Sequence, residues 1–266
     1  MRCLRPWEFK KMIKGKTAHE IELMRRAGKI AAAARQIAGS MVTVGATTKS
    51  INRSVHDFLL SQGAVPTFLG YRGYPASICI SINDQVIHGI PSSRRLVEGD
   101  VVSIDIGATI NGYIGDCAAT FIAGKGNPGS EKLVAITRKC FFEGLKYAQA
   151  GNRVSDISRA IQLCAEENGY TTVREFVGHG VGSKMHEPPE VPNYIEIPRK
   201  KPDPRLIKGM TLAIEPMVNE GGAGIRILDD GWTVVTADGK NSAHYENTIL
   251  ITESEPEILT VHEGVL

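Results

Sequence analysis

Two apolar runs meet at Asn111-Gly112, and no other stretch of the chain constrains its fold as tightly. Asn-Gly between such runs is the strongest short-range signal for a two-residue hairpin. Val101 to Thr109 is therefore expected to be one strand and Tyr113 to Ile122 its return. With Asn111 and Gly112 as the loop, Ile110 faces Tyr113, Asp105 faces Ala118 and Asp116 faces Gly107. Side chains alternate between faces along a strand, which makes Asp116 the diagonal same-face neighbour of Asp105, roughly 7–8 Å away. A one-residue slip of register would send the two carboxylates to opposite faces. Gly107, Gly112 and Gly115 leave space above this face, as happens where a ligand approaches the backbone.

Both aspartates stand in strand-like or glycine-flanked surroundings, and two glutamates further on do the same. These are Glu215 in Leu212-Ala-Ile-Glu-Pro216 and Glu246 in His244-Tyr-Glu-Asn247. Burying a carboxylate is costly unless something pairs with it. No Lys or Arg adjoins any of the four in sequence. A fifth group, His179 in Val177-Gly-His-Gly-Val181, lies between glycines that let the backbone bend and present the ring. The natural partner for such a set is a pair of metal ions.

At 266 residues with 42% apolar content, the chain can bury a large core as one big domain or two packed halves. No apolar run approaches the roughly 18 residues of a membrane span. The start, Met1-Arg-Cys-Leu-Arg-Pro-Trp, lacks the apolar segment of a secretory signal. Cys3, Cys79, Cys117, Cys140 and Cys164 are odd in number and form no CxxC. Free thiols in a reducing cytoplasm fit best. Cys117 is expected to point away from the face of Asp116, and Cys140, Cys164, His56 and His262 carry no functional signal. The net charge of +2 hides an imbalance, because residues 1–35 hold ten Lys/Arg against three Glu. A solvated helix face accounts for this, and so does contact with a polyanion such as ribosomal RNA.

The chain contains a concealed repeat. Gly45, Ile51, Arg53 and Gly63 recur with the same spacing as Gly151, Ile157, Arg159 and Gly169. The apolar positions between them, Val55, Phe58 and Leu59, correspond to Ile161, Cys164 and Ala165. Both segments have helical period and end at Gly. Each follows another helix, one from the capping box Thr17-x-x-Glu20 to about Ala38, the other from Ser130 to about Ala148. Two α-α-β halves follow, about 1–125 and 126–266, joined near Gly124 to Gly129 with the site between them. In the second half, Thr211 to Val218, Trp232 to Thr236 and Tyr245 to Thr252 read as strands, with Glu215 held extended by Pro216.

Asp105, Asp116, His179, Glu215 and Glu246, in that order, resemble the dinuclear site of the methionine aminopeptidase family. Other stretches agree: Gly70-Tyr-Arg-Gly-Tyr-Pro75, Cys79-Ile-Ser-Ile-Asn83 leading to His88-Gly-Ile-Pro91, and the run from His179 through Met185 and His186 to Glu187. Ile214-Glu-Pro-Met217 and Asp230-Gly-Trp-Thr233 complete the set, and the likeness runs from about residue 15 onward. The short stretch between His186 and Glu215 lacks the helical insertion of type II members. The N-terminal residues lack the Cys/His zinc-binding extension of eukaryotic type I members, so the likeness is to the bacterial-style type I enzymes. One departure is Met185, where the family often has an aromatic.

The resemblance implies an α+β pita-bread fold: two pseudo-symmetric α-α-β halves around a central antiparallel sheet, as one catalytic domain spanning 1–266. It implies two divalent ions, with all-oxygen and imidazole ligands suiting Mn, Fe, Co or Zn. Asp105 would chelate one, His179 and Glu215 the other, and Asp116 and Glu246 would bridge. Glu215 would take the proton of the attacking water, and His88 and His186 would contact the substrate peptide. Phe68, Tyr71, Tyr74, Cys79, Met185 and Trp232 match the wall of the methionine pocket, or are simply core. The implied partners are nascent polypeptide N-termini and, through the basic N-terminal segment, the ribosome, with the enzyme a monomer and no membrane contact. Two alternatives share the fold. An Xaa-Pro peptidase has the same ligands but typically an additional N-terminal domain. A non-catalytic binding relative would have lost ligands, and none is lost here.

Overall fold

Thr17 caps the first helix as the sequence suggests: its hydroxyl accepts from the Glu20 N–H at 3.3 Å, and the Glu20 carboxylate accepts from the Thr17 N–H at 2.7 Å. The computed structural model describes residues 13–198 and 202–261. Arg2, Cys3, Arg5, Lys10, Lys11 and His262 lie outside the described residues. The helices are α1 (Ala18–Ser40), α2 (Thr48–Ser61), α3 (Pro128–Leu145) and α4 (Val154–Glu167). α2 and α4 are the repeated segments, and Gly63 and Gly169 follow them with φ of 70° and 83°. α3 starts two residues earlier than the periodicity suggests, because Asn127 caps it and Pro128 opens its first turn.

The strands are β1 (Val65–Pro66), β2 (Cys79–Ile82), β3 (Gln85–Ile87), β4 (Val101–Ile110) and β5 (Tyr113–Ile122), followed after α4 by β6 (Thr171–Thr172), β7 (Gly178–Gly180) and β8 (Glu187–Val191). Next come β9 (Thr211–Ile214), β10 (Met217–Asn219), β11 (Ile225–Ile227) and β12 (Val234–Thr236). The last are β13 (Ser242–His244), β14 (Glu246–Leu250) and β15 (Glu257–Ile258). A central sheet runs β1-β4-β5-β14-β9-β7-β8, with β2 beside β4 and β15 beside β14, every pair antiparallel. Two three-stranded sheets, β13-β10-β6 and β11-β12-β3, flank it.

The hairpin forms in the expected register, with Ile110 opposite Tyr113, Asp105 opposite Ala118 and Gly107 opposite Asp116. Asn111 and Gly112 both take positive φ, 49° and 79°, as a type I′ turn demands. The segment Thr211 to Val218 departs from expectation. It is two strands in two sheets, because Pro216 has no N–H to continue the ladder. β12 begins at Val234 rather than Trp232, since the Trp232 and Thr233 N–H groups both donate to Asp230 Oδ1 at 2.8 Å. β14 begins at Glu246, because the Tyr245 N–H turns aside to Pro216 O at 3.2 Å.

The helices cover one face of the central sheet. α1 and α2 pack on Ile80, Ile104, Ile106 and Cys117, and α3 and α4 pack on Leu212, Ile214 and Ile249. The register puts all these strand residues on one face. Cys117 thus points to the helices, away from Asp116, and Cys140 and Cys164 lie buried as free thiols among α3 and α4. α1 comes close through its small residues Ala27, Gly28, Ala31, Ala34 and Ala38. A Cβ on Gly115 would lie 2.5 Å from Gly28 N, so only glycine permits that approach. Arg35 reaches from α1 into the sheet, donating to Glu246 O and Asn247 Oδ1, each at 3.0 Å. No helix of the described residues is long and apolar enough to cross a membrane.

Candidate metal centre

The face away from the helices carries all five expected ligands, in two neighbouring cross-strand rows. In the first, Cys79 pairs with Asp105, Asp105 with Ala118, and Ala118 with Glu246. Glu215 continues this row, because the preceding Ile214 pairs with Asn247. In the second, Thr248 pairs with Ala213 and Ala213 with His179. Asp116 joins it through Thr248, whose hydroxyl accepts from Asp116 N–H at 3.0 Å and donates to Asp116 O at 2.9 Å. Ala118 lies between Asp105 and Glu246, Ala213 lies beside His179 and Gly107 beside Asp116, so the carboxylates stand over a floor of small residues.

One atom each from Asp116, His179 and Glu246 lies within 4.8 Å of the other two. His179 Nε2 is 3.8 Å from Asp116 Oδ2 and 3.5 Å from Glu215 Oε1. The His179 Nδ1–H donates to Gly180 O at 2.9 Å, which leaves Nε2 bare. Burial pushes the His179 pKa down to about 4, so the ring is neutral at pH 7 and its lone pair confronts carboxylate oxygens. Asp105 Oδ1, Asp116 Oδ1 and Glu246 Oε1 are shut off from solvent and have no hydrogen-bond partner among the described residues. Acceptors facing acceptors must share either protons or a cation. Oxygen and imidazole donors turned inward in this way fit divalent ions.

Burial raises the Asp105 carboxyl to about 7. It raises Asp116, Glu215 and Glu246 well above the usual carboxylate range, and their mutual repulsion adds to this. Four carboxylates this close repel by roughly 3 kcal/mol per pair at about 5 Å and an effective dielectric near 20. Two divalent ions would cancel that charge.

The six candidate pocket residues, Phe68, Tyr71, Tyr74, Cys79, Met185 and Trp232, meet in one cluster beside Asp105. The Tyr74 hydroxyl donates to Gly89 O at 2.9 Å, which fixes its ring edge-on to Trp232 at 5.1 Å. His186 adjoins His179, with ring centroids 4.3 Å apart, and its Nδ1 meets the Tyr71 hydroxyl at 2.8 Å. His88 takes a left-handed φ of 59° and lies edge-on to Phe176 and Trp232. Two further residues at the site escaped sequence reasoning. Asn193 is fully buried and donates from Nδ2 to Glu215 O at 3.0 Å. His244 is buried with Nε2 3.7 Å from Glu215 Oε2. The only signal for His244 was its place two residues before Glu246, the same-face spacing of a strand.

Residues 22–253 match the description metallopeptidase family M24. The chain belongs to the M24 metallopeptidases. A methionine aminopeptidase of Clostridium perfringens is 51% identical to this M24 chain over 250 residues, covering 94% of it and 99% of the relative. The crystal structure of methionine aminopeptidase from Thermotoga maritima superposes with a TM-score of 0.90 at 42% identity, covering 94% of this chain and 99% of that one. A prolidase from Pyrococcus furiosus reaches 0.74 at 25% identity and covers 96% of this chain but 68% of its own. These neighbours share the pita-bread architecture.

An M24 centre of this kind should couple metal to pH. Asp105 binds its proton more tightly folded (about 7) than unfolded (3.8), so its contribution to metal-free stability is present at low pH and is lost as pH rises through about 7. Added divalent metal should therefore raise the melting temperature more at neutral pH than near the unfolded value, where protons compete for the same oxygens. Thermal melts with and without chelator check this, and equal gains at both pH values would remove the coupling.

Proposed function

We propose that this M24 metallopeptidase removes the initiator methionine from nascent polypeptides whose second residue is small. The observation that carries the reading is a carboxylate–imidazole centre adjoining, through the Cys79–Asp105 pair, a cluster of aromatic and sulfur-bearing side chains. Relatives named methionine aminopeptidase match over nearly their full length, whereas the prolidase matches over 68% of its own, which favours methionine removal over an Xaa-Pro activity.

In this reading the chain is one catalytic domain of two pseudo-symmetric halves. Asp105, Asp116, His179, Glu215 and Glu246 would hold two ions of the Mn, Fe, Co or Zn type, Asp105 serving one, His179 and Glu215 the other, and Asp116 and Glu246 being shared. Bound there, such ions act as Lewis acids and make water nucleophilic at neutral pH. Glu215 accepts the proton of the attacking water. His186, its Nδ1 engaged by Tyr71, turns Nε2 toward the peptide, and with His88 it donates to the developing oxyanion. The pocket wall encloses a long, unbranched side chain, with sulfur–aromatic contacts worth about 0.3–1.5 kcal/mol each.

Cleavage of Met-Ala-Ser is expected, with Met-Lys-Ser and Leu-Ala-Ser left intact under the same conditions. Similar kcat/KM for all three would refute the specificity, and release of residues preceding proline would point to the Xaa-Pro activity.

We read the enzyme as a cytoplasmic monomer that meets ribosomal RNA through residues 1–35. Lys16 is paired with Glu187 at 2.8 Å, Arg25 with Glu257 at 2.7 Å, and Arg35 is turned into the sheet. The contact is therefore assigned to exposed Lys14 and Arg26 and to the basic residues that precede Lys14 in sequence. Co-sedimentation with ribosomes at low salt, lost at high salt, is the expected result. Sedimentation that ignores salt or never occurs would remove the contact, and sedimentation velocity of the free enzyme checks the monomer.

A further inference from the structure

We propose that His244 is a positioning residue for Glu215, its Nε2–H holding Glu215 Oε2 so that Oε1 faces His179 and the ions. This rests on the reading of Glu215 as proton acceptor. The two oxygens of Glu215 address different rings: Oε1 lies 3.5 Å from His179 Nε2 and Oε2 lies 3.7 Å from His244 Nε2. The two rings are held differently. His179 spends its Nδ1–H on Gly180 O and offers a bare Nε2. His244 Nε2 is shut off from solvent, and no hydrogen-bond partner reaches it among the described residues. Carrying a proton, it has Oε2 as acceptor after a small closure. Hydrogen bonds of this kind are often long without substrate and tighten in the working complex.

The backbone on both sides is fixed. The His244 N–H donates to Thr120 Oγ1 at 2.9 Å, and the Thr120 hydroxyl donates back to His244 O at 2.8 Å. His244 pairs with Met217, two residues beyond Glu215, and Tyr245 N–H reaches Pro216 O. Asn193 holds the Glu215 carbonyl from the other side. Glu215 is thus restrained at its carbonyl, with His244 facing one carboxylate oxygen and the other left for chemistry.

The test compares zinc-loaded wild type, His244→Leu and His244→Gln on Met-Ala-Ser. In His244→Leu, kcat should fall about 10–100-fold with little change in KM and with unchanged metal stoichiometry. His244→Gln, which keeps an N–H at similar reach, should recover most of it. Equal losses in both variants, or loss of one zinc equivalent in His244→Leu, would overturn the assignment, the latter by making His244 a ligand. Should His244→Leu fail to fold, nitrogen-15 imidazole spectra of wild-type zinc protein decide: His244 is expected as the Nε2–H tautomer, and a bare Nε2 overturns the proposal. The spectra need no substrate, and wild-type turnover tests the aminopeptidase reading separately.

Discussion

Asp116→Ala and Glu246→Ala are each expected to abolish turnover and to leave the protein with fewer than two bound ions. Both side chains stand between the groups assigned to the separate ions, and both have a buried oxygen that nothing else in the described residues satisfies. Removing either leaves three carboxylates for two divalent ions, so the second ion loses affinity. Residues that merely orient a ligand cost about 10–100-fold when lost, so loss of a shared ligand should exceed about 10²-fold. Metal analysis and kcat/KM on Met-Ala-Ser provide the measurements. Activity within about tenfold of wild type in either variant would sink the shared-ligand assignment.

Ala118→Leu should be nearly as damaging although it deletes no ligand. Ala118 occupies the row position between Asp105 and Glu246, and its methyl leaves the space above it open. A leucine there would place a branched side chain where the ions are assigned, and the buried strands on both sides give it nowhere else to go. Metal content should drop, and turnover with it by at least about 10²-fold, the scale of a 1 Å misplacement in an active site. Ala118→Gly keeps the floor clear and should retain both ions. If Ala118→Leu binds metal and turns over like wild type, the ions do not lie above that row.

How much of this could be read beforehand differs from element to element. The β4–β5 hairpin was legible to the residue because Asn111-Gly112 fixes turn and register together, and the register placed Asp105 and Asp116 on one face. The helix pairs were legible from the Thr17 capping box, the helical period and the glycines beyond α2 and α4, whereas the Asn127 cap that starts α3 was not. The Glu215-Pro216 step was not, because an apolar run interrupted by Pro does not say which sheet each fragment will join. The five candidate ligands stood out by their order, but the reason they meet lies in pairings across long sequence distance, such as Ala118 with Glu246. Asn193 and His244 were missed for the same reason: each acts on Glu215 through contacts that local periodicity does not encode.

The order of strands in the central sheet has a consequence for how the enzyme comes into being. β14 lies midway along the path, between β5 and β9, yet it follows both of them in the chain. Until it arrives, β5 and β9 present bare hydrogen-bonding edges toward one another, the kind of surface that invites wrong pairings. Glu246 opens this late strand, so the site cannot assemble piecemeal as the chain emerges. A growing molecule of this enzyme therefore remains inert toward other nascent chains until its own middle strand is in place. Metal uptake would then serve as a clock for the closing of the sheet.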